Sequence, residues 1–453
     1  MSAFKYSFLL VLWPLCAVGQ ATDSTKNANW SLHFQETTIG QYHPDFTSPY
    51  SGKNSQVADG EPPRVSVTST LFIGRRLWQG AELYFNAELS GGRGLGSTLG
   101  IAGFPNGETY RIGNPEPVVA PVRMFIRQTF NLNDNTEHPK RKQYIPKWDS
   151  NDDGQNQLSG YVPKRRLVIT LGKFSVTDIF DANSYSHDAR SQFMNWSLMS
   201  AGAWDYPADT KGYTWGGVAE LIYPNWSLKT GITMVPSAAN GAEFDDNITK
   251  ANSVSVEYDK KWTFKHPKIL KSATMRLIFF YTNAHMGNYQ MATQDTQYHH
   301  DITLTRAYGR TKLGFVYNAE WEMKNDLGIF ARASYNDGQN ETWAFTEIDG
   351  SGSAGVLLKG TSWKRPDDRL GIAAVVNGLS DAHKAYLESG GYGFIIGDGK
   401  LDYGVESIFE VFYNFKWGQY LFLSPDYQFI LDPGYNKDRG PIHVIGLRAH
   451  VEF

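Results

Sequence analysis

The side chains that could do chemistry in this 453-residue chain are few and badly spaced for it. Asp178 and Asp181 make a carboxylate pair of the kind glycosidases use as acid and nucleophile. With 46 acidic residues in the chain, such spacings arise by chance. Asp149-Ser150-Asn151-Asp152-Asp153-Gly154 places oxygen ligands at alternate positions before a glycine bend, like the opening of a calcium loop. Its twelfth position is Gly160 rather than a bidentate carboxylate, so an ordinary solvated loop is the favoured reading of 149–160. His299-His300 lacks metal-ligand spacing, and Gly92-Arg93-Gly94-Leu95-Gly96 lacks both the spacing and the βαβ unit of a phosphate loop. No Gly-x-Ser-x-Gly elbow occurs. The expectation is a protein that is not an enzyme and uses no metal or cofactor.

The remaining chemistry is charge set on alternating segments, which needs strands to position it. In Ala81 to Leu89, Leu83, Phe85, Ala87 and Leu89 share one face while Glu82, Tyr84, Asn86 and Glu88 share the other. Lys312 to Glu322 alternates likewise, and Asn325-Asp326 turns it into a second strand from Leu327 to Tyr335. Similar patterns recur near 64–74, 122–130, 165–172, 213–223, 226–234, 252–259, 273–284, 368–377, 405–416 and 418–430. Irregular stretches at 41–63, 91–121, 131–164, 235–250 and 336–367 separate them. Arg190 to Trp204 and Asp381 to Ser389 read as short helices. Short turns alternating with long loops suit a membrane barrel with one tight and one elaborated rim.

Composition narrows the class. A mean hydropathy of −0.41 with 20% charged residues excludes a bundle of membrane helices. A hydrophobic content of 41% excludes a disordered chain, and a net charge of −3 gives no reason to expect nucleic acid. Lys5, the apolar run Tyr6 to Leu15 and the small-residue pattern Ala17-Val18-Gly19 read as a secretory signal peptide, 1–19, cleaved after Gly19. Residues 20–453 then form one barrel domain, and the single cysteine, Cys16, leaves with the signal. The last strand alternates Ile445, Leu447, Ala449, Val451 and Phe453 against Gly446, Arg448, His450 and Glu452. A closing aromatic is what an outer-membrane barrel presents to its assembly machinery. The expected fold is therefore an all-β transmembrane antiparallel barrel.

Its polar faces carry Glu82, Glu88, Arg123, Arg127, Arg276, Lys312, Glu320, Arg332, Glu410, Arg448 and Glu452. Anion pores are dominated by Arg and Lys, cation pores by Asp and Glu. Mixed signs with many aromatics suit neutral polyhydroxylated solutes, but they equally suit a wall that merely holds water. Composition leaves those two even.

Several stretches resemble the carbohydrate-selective porin (OprB) family of Gram-negative outer membranes. They are Leu171-Gly172-Lys173-Phe174-Ser175-Val176-Thr177-Asp178-Ile179-Phe180-Asp181-Ala182-Asn183 with Tyr185-Ser186-His187-Asp188 and Gln192-Phe193-Met194-Asn195-Trp196, then Ala102 to Glu108, Gly390 to Gly399, Pro425 to Ile430 and the closing strand. The resemblance runs in order over most of the chain. It implies 16 strands, long loops folded inward to narrow the pore, and passive diffusion of glucose-like sugars. The loop around Asp178–Trp196 is then expected to form part of the constriction. Glu82, Arg123, Arg127, Asp178, Asp181 and Arg332 are the wall residues expected to meet solute, with Trp196 and Trp204 as stacking rings. Implied partners are small neutral sugars, outer-membrane lipid and lipopolysaccharide, and the barrel-assembly machinery through Phe453. A homotrimer stays open, as do a general or ion-selective porin and a plugged barrel that binds polysaccharide. The 131–164 segment matches nothing in the family pattern.

Overall fold

A closed antiparallel barrel is the whole frame of the molecule. The computed structural model describes residues 28–109, 116–133, 147–265 and 268–453, so residues 1–19, expected to be a signal peptide, lie outside the described residues. The first wall strands are β1 (Trp30–His43), β2 (Glu61–Trp78), β3 (Ala81–Gly92) and β4 (Val118–Asn131). A small separate hairpin follows, β5 (Trp148–Asn151) with β6 (Gly160–Pro163). The wall resumes with β7 (Arg166–Phe174), β8 (Thr214–Tyr223), β9 (Trp226–Thr233), β10 (Asn252–Thr263), β11 (Leu270–Ala284) and β12 (Arg310–Met323). It ends with β13 (Leu327–Asn336), β14 (Gly350–Gly360), β15 (Arg365–Gly378), β16 (Glu406–Trp417), β17 (Leu421–Leu431) and β18 (Ile442–Glu452). Chain neighbours pair throughout, β4 pairs with β7, and β18 closes on β1, giving the 16 strands expected. Closure leaves no sheet edge, which is what a strand protein needs in hydrocarbon.

Period-two alternation sorts the side chains as read from sequence. Leu83, Phe85, Leu313, Phe315, Ile445 and Leu447 point outward and are exposed. Trp30, Trp78, Phe130, Trp262 and Trp417 are exposed at the strand ends near the tight rim, forming an aromatic girdle at the membrane interface. The turn at Asn325-Asp326 holds both residues in the left-handed region (φ 60° and 59°), the geometry of a type I′ hairpin. At Gly80 (φ 78°) a Cβ would fall 2.2 Å from Thr129 O, so only glycine permits β2, β3 and β4 to meet there.

Three departures from the expectations stand out. Two wall strands lie outside the alternating segments, as does the β5–β6 hairpin: β1 has its apolar face interrupted at Glu36 and Thr38, and β14 is built largely of glycine, serine and alanine. Arg190 to Trp204 contains only a four-residue helical turn, α1 (Trp196–Met199), whereas Asp381–Glu388 is helical as α2, capped by Ser380. The connection from β4 to β7 lies on the rim of tight turns, beside the Gln79-Gly80 turn, rather than among the long loops.

Candidate functional site

The loop between β7 and β8, residues 175–213, folds into the barrel, and the wall charges on the β10–β18 side grip its backbone. Glu257 accepts from Asp181 N at 2.7 Å and Glu320 from Ser184 N at 2.7 Å. Glu410 accepts from Met194 N (2.6 Å) and Asn195 N (3.0 Å), while Arg448 donates to Ala189 O (2.7 Å) and Gln192 O (2.6 Å). Glu406 takes the amides of Ala102, Gly103 and Gly434, holding two further loops. Apolar wall side chains finish the seal: Phe330, Leu357, Val375, Ile408, Phe412 and Ile430 pack on Phe193, Leu198, Leu95 and Ile101. Buried polar groups need partners, and here inward-folded backbone supplies them.

The opposite side, along β1–β4, stays open. A cavity of about 370 Å³ is lined by Gln35, Phe72, Arg123, Phe125 and Arg127 from the wall and by Asp178, His187, Asp188 and Arg190 from the loop. That size lies within the ~300–1,000 Å³ typical of small-molecule sites. Arg123 holds Asp178 in a two-point pair (Nε 2.7 Å, Nη2 2.6 Å), and Asp178 also caps the turn at Ser175. Arg190 bridges Glu108 (2.8 Å) and Glu88 (2.9 Å). The Arg127 guanidinium lies over the rings of Tyr84 (5.1 Å) and Phe125 (5.3 Å). Burial works against the Asp188 carboxylate, yet Arg190 beside it holds its pKa below the ordinary value. Burial pushes the His187 pKa down, which keeps that ring neutral. The cavity wall is therefore charged in both signs and locally neutralised.

The residues singled out in sequence separate into groups. Arg123, Arg127 and Asp178 come together at this cavity. Glu82 lines a second cavity nearer the tight rim, with Arg127 on the border of both. Asp181 and Arg332 form a fully buried pair at 3.1 Å that staples the loop, away from the cavity lining. Trp196 stacks on Phe104 (5.1 Å, 13°), and Trp204 meets Phe180 edge-on; both are buried within the packed loops rather than set on the open wall. The rings that do border the cavity are Phe72 and Phe125, of which Phe125 shares the two-residue period of Arg123 and Arg127. Arg190 carried no local signal. At 149–154, Asp149 pairs with Lys164 and Asp153 with His33, and His299 and His300 sit in a short turn; among the described residues no group of three or more His, Cys, Asp or Glu is placed to hold a metal.

Comparison with known proteins bears on this frame. The chain matches a structure of OprB from Pseudomonas putida at high pH with a TM-score of 0.67 and 16% identity, over 94% of both chains. It also matches the outer membrane channel DcaP of Acinetobacter baumannii at a TM-score of 0.46 and 11% identity, over 94% of this chain and 97% of that one. At 16% identity the match to OprB speaks to fold alone. No curated protein matches the sequence. The profile of the carbohydrate-selective porin, OprB family, covers residues 65–453. The chain therefore belongs to the OprB family of carbohydrate-selective porins and is an integral outer-membrane sugar porin.

Proposed function

We propose that glucose-like neutral sugars pass by facilitated diffusion along the open β1–β4 side, meeting Arg123, Arg127 and Asp178. The observation that carries this reading is the 370 Å³ cavity lined by both signs of charge and by Phe72 and Phe125. Sugar hydroxyls need donors and acceptors together, and their C–H faces suit aromatic rings. Binding there is shallow by design, because a deep well would trap the solute and stop flux. Asp181, Arg332, Trp196 and Trp204 serve by holding the constricting loop in place, and Glu82 belongs to the exit.

Around this core, residues 1–19 are removed as a signal peptide after Gly19. The closing strand offers Phe453 to the barrel-assembly machinery, and the apolar outer band faces lipid and lipopolysaccharide.

Liposome swelling with a panel of sugars, together with single-channel conductance with and without glucose, tests the reading. Glucose entry is expected, with a several-fold altered rate in Arg127→Ala. If liposomes exclude glucose and high glucose leaves ion current untouched, the protein is a general or ion-selective pore instead. No conductance, with retention on polysaccharide, would make it a plugged binding barrel.

A further inference from the structure

The β4–β7 connection contradicts the rim it stands on. Its neighbours there are tight turns such as Gln79-Gly80 and Asn325-Asp326, whereas this one carries β5, β6 and a structured tip. Its base is pinned at the rim, Leu132 N donating to Arg165 O (2.9 Å) and Lys164 N to Lys147 O (3.0 Å). The strands pair in register from Trp148 with Pro163 to Asn151 with Gly160. Gly154 and Gln157 then exchange backbone bonds (3.2 and 3.0 Å), with Asn156 in the left-handed region at φ 55°. The tip is thus a preformed turn.

It points into the barrel. Ser31 Oγ donates to Gly154 O (3.5 Å), Gln155 Nε2 to Gln35 Oε1 (2.9 Å), and Arg127 Nη1 to Asn156 O (3.1 Å). His33 faces Asp153 at 3.4 Å, and Arg76 Nη2 donates to Ser159 O at 3.2 Å. Ser31, His33, Gln35, Arg76 and Arg127 are all on the inner face of β1, β2 and β4, the side left open by the 175–213 loop.

Two cavities meet at this tip. The upper one, already described, is floored by Gln155, Asn156 and Gln157. The lower one, about 410 Å³, lies toward the tight rim between Arg76, Glu82, Arg166, Glu220, Gln157 and Tyr161. Arg127 and Gln157 line both, so they stand at the neck between them. The tip offers uncharged carboxamides, each both donor and acceptor. Such groups can replace water around hydroxyls, but they cannot compensate a permeating ion as a full countercharge does.

We propose that the Gly154–Leu158 tip closing on Arg127 is a second selectivity neck, on the periplasmic side, which sets the size limit for uncharged polyhydroxylated solutes leaving the upper chamber. The proposal rests on the lumen being the sugar's path and assigns it a second set of specificity residues. The pore is then two chambers in series, joined by a neck with the amide tip on one side and the Arg127 guanidinium on the other.

Two variants test it in planar bilayers. In the first, Asp149–Val162 is replaced by Asn-Gly, which can close the facing Trp148 and Pro163 as a two-residue hairpin turn. Single-channel conductance should rise about three-fold or more, and liposomes should admit a trisaccharide that the wild type excludes. In the second, Gln157→Cys is treated with a bulky thiol reagent; after removal of residues 1–19 the chain has no other cysteine. Conductance should fall by roughly half or more and recover on reduction, with the wild type unaffected. A folded hairpin-less barrel with unchanged conductance, or labelled Gln157→Cys with unchanged conductance, overturns the neck. If the first variant does not fold, the second decides alone. Glucose entry into wild-type liposomes, measured in parallel, reports separately on the sugar reading, because ion conductance probes the neck whatever the solute.

Discussion

Arg448 on β18 and Arg123 on β4 are both guanidiniums on the inner face of one barrel, yet they hold different things. Arg448 donates to the loop carbonyls of Ala189 and Gln192, whereas Arg123 grips the Asp178 side chain at the edge of a cavity. The same contrast extends to whole regions. On the β13–β18 side, wall carboxylates and guanidiniums bond to backbone, and apolar wall residues pack solid against Phe193 and Leu198. On the β1–β4 side, Arg123 and Arg190 pair with carboxylate side chains and space remains. A charge on a barrel wall is therefore no sign of a pore lining; what separates scaffold from channel is whether space remains beside the pair, as it does at Arg123 and does not at Arg332.

The sharpest test of that contrast is Arg332→Ala. It strands the buried Asp181 carboxylate and should cost about 3–5 kcal/mol, seen as a lowered unfolding midpoint by circular dichroism in detergent. A loss below about 1 kcal/mol would remove the filled side's claim to be scaffold. Arg123→Ala should act the other way round. Its stability change is expected to be smaller, while the glucose concentration that half-blocks ion current rises roughly tenfold, about 1.4 kcal/mol. Unchanged block would put the solute elsewhere. Trp196→Phe is expected to cost roughly 1–2 kcal/mol through loosened packing on Phe104, with glucose block unaltered. Weakened block would instead bring that ring into the solute's path.

The smallest effect concerns pH and the outer loops. Burial pushes the Glu347 carboxyl up to about 7, against the opposing pull of His383 and the amides of Ile395 and Ile396. Between pH 4.5 and about 7 the folded state keeps a proton that the unfolded chain has lost, so the stabilising term is complete below pH 4.5 and fades as pH rises through about 7. Hydrogen exchange at Ile395 and Ile396, corrected for intrinsic rates, should quicken over that range in the wild type and not in Glu347→Gln. Equal behaviour of the two would mean that this carboxyl does not titrate there.

Much of the frame was legible in the sequence because a period of two is a local property. Leu83 against Glu82, or Leu447 against Arg448, reveals its face from adjacent residues alone. The strand β14 was not legible, since Gly350, Gly352 and Ala354 have too little apolar area to mark an outward face. The site was half legible. Alternation placed Arg123, Arg127 and Arg332 on the inner face, but what each one touches depends on chain far away, so Arg332 and Asp181 looked no different from Arg123 and Asp178. Trp196 and Trp204 looked like stacking rings for the same reason. The strand count carries one further signal: after the tight turn at Gln79-Gly80 and the long 91–121 loop, the next connection must return to the tight rim. That count alone puts 131–164 at the exit of the pore.

The clamps on the 175–213 loop join residues far apart along the chain, with separations of 151 for Asp181 to Arg332, 216 for Met194 to Glu410 and 259 for Ala189 to Arg448. Until the barrel closes, the loop therefore lacks the distant wall groups to which it bonds. The inward fold of this loop accordingly depends on the closed wall and is not a property of the loop alone. Truncation of Ile442–Phe453, which removes Arg448, should thus leave Ala189–Gln192 open to protease, and full protection there in the truncated chain would refute that dependence. Assembly and selectivity then share a final step: the strand pair that seals the wall also draws the pore to its working width.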